Sequence, residues 1–84
     1  SGETPLLAAS TRGYGPVVSL LLEKGADPNL KDYNDGLTPL AVAARENHVE
    51  VVRLLLRHQS TDVEERDDQG KSALWWACQA RALE

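Results

Sequence analysis

The apolar residues of this chain fall into two similar clusters separated by polar segments. The first cluster is Val17-Val18-Ser19-Leu20-Leu21-Leu22, and the second is Val51-Val52-Arg53-Leu54-Leu55-Leu56. The second begins 34 residues after the first, at position 51 instead of 17. A fixed period of this size indicates repeated units that stack on their neighbours, each too small to bury its apolar face alone.

A second motif recurs with the same period and precedes each apolar cluster. It reads Gly-Glu-Thr-Pro-Leu at 2–6, Gly-Leu-Thr-Pro-Leu at 36–40 and, more loosely, Gly-Lys-Ser-Ala-Leu at 70–74. A hydroxyl residue followed by proline is typical of a helix start, because the hydroxyl caps a free amide and proline needs none in the first turn. Each unit is therefore predicted to open with a helix.

These signals predict two helices in each complete unit. Gly13 and Asn47 occupy equivalent positions and suit the left-handed turn between the two helices of a unit. All the valines and leucines of the two clusters are expected to point inward, and so are Trp76 and Cys78. In the first unit the predicted helices span about 5–12 and run from Pro16 to the residue before Gly25. In the second unit they run from Pro39 to the residue before Asn47 and span about 49–57. The helix of the third unit is predicted over about 72–80.

Polar, turn-rich segments separate the units. The first, Lys31 to Gly36, has the Asn, Asp and Gly content of a tight hairpin and one residue more, near Tyr33, than its counterpart. The second includes residues 62–68, where five acidic residues face one arginine. This acidic stretch is interpreted either as a solvated hairpin tip or as a docking patch for a basic partner segment.

The third unit holds only its first helix, and residues 81–84 only reach the expected start of the second. We expect a piece of a longer array with apolar faces at its ends, which would allow weak self-association.

Composition narrows the functional classes. The chain has 84 residues, one cysteine and a net charge of −4, without a cluster of basic residues, so a nucleic-acid partner is disfavoured. The single cysteine and the lack of a signal pattern or a long apolar run favour a cytoplasmic or nuclear protein without a membrane span. His48, His58 and Cys78 fall on separate elements, which argues against catalysis, a metal site or a cofactor.

The repeated motifs resemble ankyrin repeats over essentially the whole chain. The resemblance is carried by Thr38-Pro39-Leu40 with Ala43-Ala44, by Val51-Val52 with Leu54-Leu55-Leu56, and by Gly25-Ala26-Asp27-Pro28-Asn29. It implies an all-α solenoid of helix-turn-helix units with projecting β-hairpins. The expected units are 2–35, 36–69 and a partial repeat at 70–84, within one array over 1–84.

The resemblance also implies which surface meets a partner. In the family, hairpin tips and the exposed side of each first helix usually do so, and Tyr33 and Leu37 are the expected apolar anchors. Trp75 is interpreted either as a side chain that packs on a neighbouring repeat or as a further exposed anchor for a partner. The residues implied at these positions are Glu3, Thr11, Arg12, Tyr33, Asn34, Asp35, Leu37, Arg45, Glu46, Asp68, Gln69, Lys71, Trp75 and Gln79.

One modification site is also implied by the resemblance. Asn29 is similar to the hairpin asparagine that an intracellular dioxygenase hydroxylates in some ankyrin proteins. The alternative is a structural asparagine that hydrogen-bonds its own loop.

Taken together, the sequence predicts a non-catalytic module for protein–protein interaction, part of a larger intracellular protein. The alternatives are a spacer or intramolecular docking segment of a multidomain enzyme such as a ligase, helicase or kinase and, less favoured, recognition of a nucleotide or RNA.

Overall fold

The computed structural model describes residues 3–80 and contains five α-helices in that range. They are α1 (Pro5–Arg12), α2 (Gly15–Glu23), α3 (Pro39–Arg45), α4 (Val49–Arg57) and α5 (Ala73–Ala80). The bounds of α1 and α4 are as predicted, α2 begins one residue before Pro16, and α5 begins one residue after Ser72. The all-α fold class is confirmed.

The predicted caps form at the first helix of each complete unit. Thr4 Oγ1 accepts a hydrogen bond of 3.1 Å from the Leu7 amide. Thr38 Oγ1 accepts one of 3.2 Å from the Ala41 amide in the same way. In both helices proline follows the capping threonine, so these two residue types fix where the helix begins.

The turn between paired helices is left-handed in both units, as predicted. Gly13 has φ of 77°, and Asn47, the only non-glycine with positive φ among the described residues, has φ of 62°. The two turns also meet each other, because His48 Nε2 donates a hydrogen bond of 2.9 Å to the Thr11 carbonyl. His48 is half-buried, and its hydrogen bond joins neighbouring units.

The helices form two layers. The first helices α1, α3 and α5 pack side by side, and α2 and α4 cover them as a second row. Alanines dominate where α3 lies between its neighbours, which lets the backbones approach closely, and Leu6, Leu7, Val18, Val52 and Leu55 fill the space between the layers. Each of these larger side chains contributes roughly 1.5–3 kcal/mol when fully buried.

Equivalent leucines of the two units differ in exposure, so the expectation that all of them point inward is wrong. Leu22 of α2 is 9% exposed, whereas Leu56, its equivalent on α4, is 46% exposed. Conversely, Val17 is exposed and its equivalent Val51 is fully buried. The reason is stacking: α4 covers the Leu22 side of α2, while the Val17 side of α2 and the Leu56 side of α4 have no further second helix packed against them in residues 3–80.

Two predictions for α5 also need correction. Cys78 is exposed instead of buried, since Ala73 and Ala77 are the residues of α5 that enter the core. Trp76 is only half-buried: its ring packs against the core, and its indole nitrogen reaches out to Asp67.

The projecting segments are turns without paired strands in residues 3–80. Their only β-type pairing there is an isolated bridge between Arg66 and Ser72. Aspartate side chains hold the turns in place of a strand ladder. This detail departs from the expected β-hairpins, because the Asp32 and Asp67 carboxylates accept hydrogen bonds from the backbone amides of these loops.

Candidate functional site

Two exposed surfaces contain most of the residues implied as partner contacts. The tip surface comprises the turn residues 33–35 and 68–69. The first-helix surface comprises the exposed sides of α1, α3 and α5, including Arg12, Arg45, Trp75 and Gln79. The hydrogen bonds that fix the loops between units determine which side chains these two surfaces present.

Asp32 organises the first tip. Its Oδ1 accepts hydrogen bonds from the amides of residues 35, 36 and 37, at 2.9, 2.9 and 3.2 Å. The Asp32 amide donates to the Leu37 carbonyl at 2.9 Å, which closes the loop. Tyr33 stands at the top of this closed loop with 81% of its surface exposed. The loop therefore presents an aromatic ring from a backbone that its own hydrogen bonds hold in place.

Leu37 is not an exposed anchor, and the expectation for it is wrong. It is 1% exposed and belongs to the core cluster. The loop closure on Asp32 turns the chain back toward the helices, so Leu37 enters the space between the units directly before the Thr38 cap. Its burial there stabilises the fold and removes it from the partner-binding set.

Asp67 organises the second tip in the same manner. Its Oδ1 accepts from the Lys71 amide at 2.8 Å and from the Gln69 amide at 2.9 Å, and its Oδ2 accepts from Trp76 Nε1 at 3.0 Å. Partial burial raises the pKa of this carboxyl, but the hydrogen bonds it accepts and the nearby Lys71 ammonium hold the pKa below its ordinary value. Asp67 thus has a structural role that the sequence analysis did not identify. This loop has one residue fewer than the Asp32 loop, as predicted.

Lys71 and the two tryptophans form a cluster where the second tip meets α5. Lys71 Nζ lies 4.2 Å from the ring centroid of Trp75 and 5.5 Å from that of Trp76. The rings meet edge to face at a centroid distance of 4.9 Å, and Lys71 Nζ also donates to Gln69 Oε1 at 2.9 Å. The side chain of Trp75 remains exposed. The cluster holds that ring in a defined orientation at the junction of the tip and first-helix surfaces.

Hydrogen bonds tie the neighbouring loops to each other. The Asp68 amide donates to the Asp35 carbonyl at 2.9 Å, which joins the two tips directly. Lys31 Nζ donates to the Arg66 carbonyl at 2.7 Å and pairs with Glu65 at 3.1 Å. Part of the acidic 62–68 stretch therefore serves the contact between units, while Glu64 remains exposed.

Asn29 joins the same two units from the other side of the loops. Its Nδ2 donates to the Ser60 carbonyl at 2.7 Å, and its Oδ1 accepts from the Asp62 amide at 2.7 Å. Both polar atoms of the side chain are thus used by the following loop, instead of by its own loop as the structural alternative expected. Hydroxylation of Asn29 stays a prediction.

The remaining implied residues line the edges of the first-helix surface. Arg45 Nε pairs with Glu46 at 3.0 Å, Arg12 Nη1 donates to the Ala8 carbonyl at 3.3 Å, and Thr11 is half-buried and donates to the Leu7 carbonyl at 2.8 Å. Glu3, Asn34 and Gln79 are exposed. Thr11, Arg45 and Lys71 are half-buried, and Leu37 is the least accessible of the implied contacts.

The described residues contain no group of three or more His, Cys, Asp or Glu side chains arranged to hold a metal ion. Within residues 3–80, no helix is long and apolar enough to cross a membrane. His48 and His58 stand at opposite ends of α4, so they do not form a joint site.

Comparison with known proteins identifies this architecture. Residues 6–84 match the family described as ankyrin repeats, in three copies. The chain is 36% identical over 77 residues to transient receptor potential cation channel subfamily A member 1 from Homo sapiens, and 41% identical over 80 residues to ankyrin repeat and KH domain-containing protein CBG24701 from Caenorhabditis briggsae. It is also 40% identical over 74 residues to probable E3 ubiquitin-protein ligase XBOS33 from Oryza sativa subsp. japonica.

These similarities cover most of this chain and little of the relatives. The matches include 92%, 93% and 88% of this chain, but only 7%, 3% and 14% of the respective relatives. The shared part is therefore one repeat segment of much longer proteins.

Proposed function

The chain belongs to the ankyrin-repeat family, and from that premise we propose that it binds a protein partner through the tip and first-helix surfaces, without catalysing a reaction. Ankyrin repeats are protein–protein interaction modules of larger proteins. The proposal extends this to the surfaces that bind and to a parent protein located in the cytoplasm or the nucleus.

The exposure of Tyr33 on a closed loop is the observation that carries the proposal. A large aromatic side chain with 81% of its surface in water contributes nothing to the core, yet the Asp32 hydrogen bonds hold its backbone in place. Binding through such a residue orders little additional chain, so more of the contact energy remains for affinity. Aromatic residues are also enriched among the few that dominate interface energetics.

Trp75 supports the same surface from the other side of the second tip. Lys71 and Trp76 restrict its ring, which remains exposed on the first-helix surface. Lys71 provides a positive charge beside it, and Asp35 and Asp68 provide negative charge on the tip surface. The arrangement fits a partner segment that combines an apolar side chain with a basic residue.

Affinity capture with matched variants tests the proposal. Tyr33→Ala and Trp75→Ala should each weaken binding of a captured partner by about tenfold or more, equal to about 1.4 kcal/mol. The control is Tyr14→Ala: Tyr14 is also an exposed aromatic, at 54%, but it lies at the α1–α2 turn, away from the tips. Equal losses for Tyr14→Ala and Tyr33→Ala would contradict the proposal.

The second candidate is an intramolecular docking segment or spacer of a multidomain enzyme. It is supported by the similarity to a probable E3 ubiquitin-protein ligase and by the small share of each relative that the match covers. Glu64→Lys separates the candidates, because Glu64 is exposed and lies outside the Lys31–Glu65 pair. An external partner with a basic segment should be lost on charge reversal, whereas a spacer should have no external partner to lose.

A further inference from the structure

The first tip contains the one Asp-Gly pair of the chain, Asp35-Gly36. Such a pair is chemically labile, because the glycine amide nitrogen can attack the carboxyl carbon of the preceding aspartate and no glycine side chain hinders the attack. Asp35 is exposed, whereas Gly36 is buried. The contacts of the folded tip therefore decide whether this attack can occur.

The reaction is the isomerisation of aspartate through a cyclic imide. A bond forms between the Gly36 nitrogen and Asp35 Cγ, and the bond from Cγ to one carboxyl oxygen breaks. That oxygen leaves as water, with the amide proton and a second proton from solvent. Addition of water then opens the ring: cleavage at Cγ restores aspartate, whereas cleavage at the main-chain carbonyl leaves isoaspartate, in which the chain runs through the side chain.

Two hydrogen bonds hold the Asp35-Gly36 peptide group from both sides. The Gly36 amide donates to Asp32 Oδ1 at 2.9 Å, and the Asp35 carbonyl accepts from the Asp68 amide at 2.9 Å. Asp68 also packs against Gly36, since a Cβ added to Gly36 would lie 3.1 Å from the Asp68 nitrogen. The Gly36 nitrogen reaches Asp35 Cγ only when this peptide group rotates, so the tip must first open.

The Asp32 carboxylate opposes the reaction in a second way. The attacking nitrogen must lose its proton, and the negative charge of Asp32 disfavours an amide anion at hydrogen-bond distance. Asp32 Oδ1 also accepts from the amides of residues 35 and 37, at 2.9 and 3.2 Å, which fixes the chain on both sides of the labile bond. From these contacts we infer that Asp35 is a site of spontaneous isomerisation that Asp32 keeps closed in the folded chain.

Isomerisation would change the closure of the first tip. It adds a methylene group to the main chain of a loop that the hydrogen bond from the Asp32 amide to the Leu37 carbonyl closes at 2.9 Å. It also turns the Asp35 carbonyl, which accepts from Asp68, into part of a free carboxylate. The loop that presents Tyr33 would thus lose its fixed geometry and, with it, affinity for a partner. This last consequence rests on the proposed function, whereas the isomerisation does not.

Isomerisation kinetics test the inference without any partner. The 84-residue chain and an acetylated and amidated peptide with the sequence of residues 31–38 are incubated at neutral pH and body temperature. Isoaspartate is then quantified by electron-transfer dissociation, in the folded chain on the tryptic fragment 32–45. The folded chain should isomerise at least about tenfold more slowly than the peptide, because reaction follows the small fraction of molecules in which the tip is open.

Variants of Asp32 give the second arm. Asp32→Ala should isomerise about tenfold faster than the wild-type chain or more, since it loses three hydrogen bonds to a charged group. Asp32→Asn keeps an acceptor oxygen without the charge, so its rate should lie between the two. The matched control is Asp27→Ala: Asp27 Oδ1 also accepts from a backbone amide, that of Asn29 at 2.9 Å, but it holds a different turn. Its rate should equal that of the wild-type chain.

Three results would overturn the inference. They are a wild-type rate equal to that of the free peptide, equal rates for Asp32→Ala and Asp27→Ala, and a difference between wild type and Asp32→Ala that persists in urea sufficient to unfold both. Far-UV circular dichroism identifies a variant that fails to fold, and the Asp32→Asn rate then decides the role of Asp32. Failure here would leave the proposed binding surfaces untouched, because no measurement in this set involves binding.

Discussion

Replacing Gly13 by alanine tests how the turns lock neighbouring units together. Gly13 has φ of 77°, and a Cβ added there would lie 2.6 Å from His48 Nδ1 and 2.8 Å from His48 Cε1. The His48 ring cannot move away freely, since its Nε2 donates to the Thr11 carbonyl at 2.9 Å. Gly25→Ala is the matched control: Gly25 has φ of 92°, and an added Cβ there meets nothing within 4 Å among the described residues.

The difference between the two variants follows from these contacts. A left-handed conformation costs an alanine about 1–2 kcal/mol, which both variants lose. Gly13→Ala also displaces His48 and breaks a hydrogen bond worth about 0.5–1.5 kcal/mol. We expect Gly25→Ala to lower the free energy of unfolding by about 1–2 kcal/mol and Gly13→Ala by about 2–3 kcal/mol.

Urea denaturation, followed by far-UV circular dichroism, measures both values. A double variant isolates the contact: with His48→Ala already present, the added cost of Gly13→Ala should fall to that of Gly25→Ala. Equal costs for Gly13→Ala and Gly25→Ala in the wild-type background would refute the claim that His48 restricts this turn. The claim would also be refuted if Gly13→Ala lowered the free energy of unfolding equally with and without His48→Ala.

The other predictions concern a buried hydroxyl, an inter-unit clamp and an acidic loop. Ser10→Ala should raise the free energy of unfolding by about 1 kcal/mol, because the Ser10 hydroxyl is buried without a hydrogen-bond partner in the described structure. Ala44 already occupies the equivalent position in the second unit. A lower urea midpoint for the variant would contradict this prediction. Asn29→Ala should lower the free energy of unfolding by about 1–3 kcal/mol through the loss of two hydrogen bonds between units, and an unchanged midpoint would show that the clamp is dispensable. Folding lowers the pKa of Asp67, so its contribution to stability is present above the unfolded pKa of about 4 and is lost as the pH falls through the lower folded pKa. Asp67→Asn should therefore reduce the loss of stability between about pH 5 and pH 2. An unchanged pH profile of the free energy of unfolding would argue against this role of Asp67.

Local signals in the sequence predicted the helices and turns well. Thr4 and Thr38 cap helices through hydrogen bonds to the amide three residues further along the chain. Asn47 adopts the left-handed conformation, which asparagine tolerates better than most residues. Such features depend on neighbours in sequence, so the residue types alone are sufficient to predict them.

Features that depend on neighbours in space were predicted less well. Leu22 and Leu56 belong to the same motif, and Leu22 is the buried one because a second helix, α4, packs against α2. Leu37 follows a polar loop and looks like an exposed anchor until Asp32 turns it inward. The contact of Lys71 with Trp75 joins a loop to a helix face, which the motif spacing does not indicate.

A crosslinking map tests most directly the claim that the tips and first helices form the binding surface. A photoreactive phenylalanine derivative is placed at Tyr33, at Trp75 or, as the control, at Tyr14, in the parent protein in cells. We expect positions 33 and 75 to crosslink to the same partner protein and position 14 to give no crosslink to it. Crosslinks to one partner from position 14, with none from 33 or 75, would show that the tips and first helices do not form the binding surface.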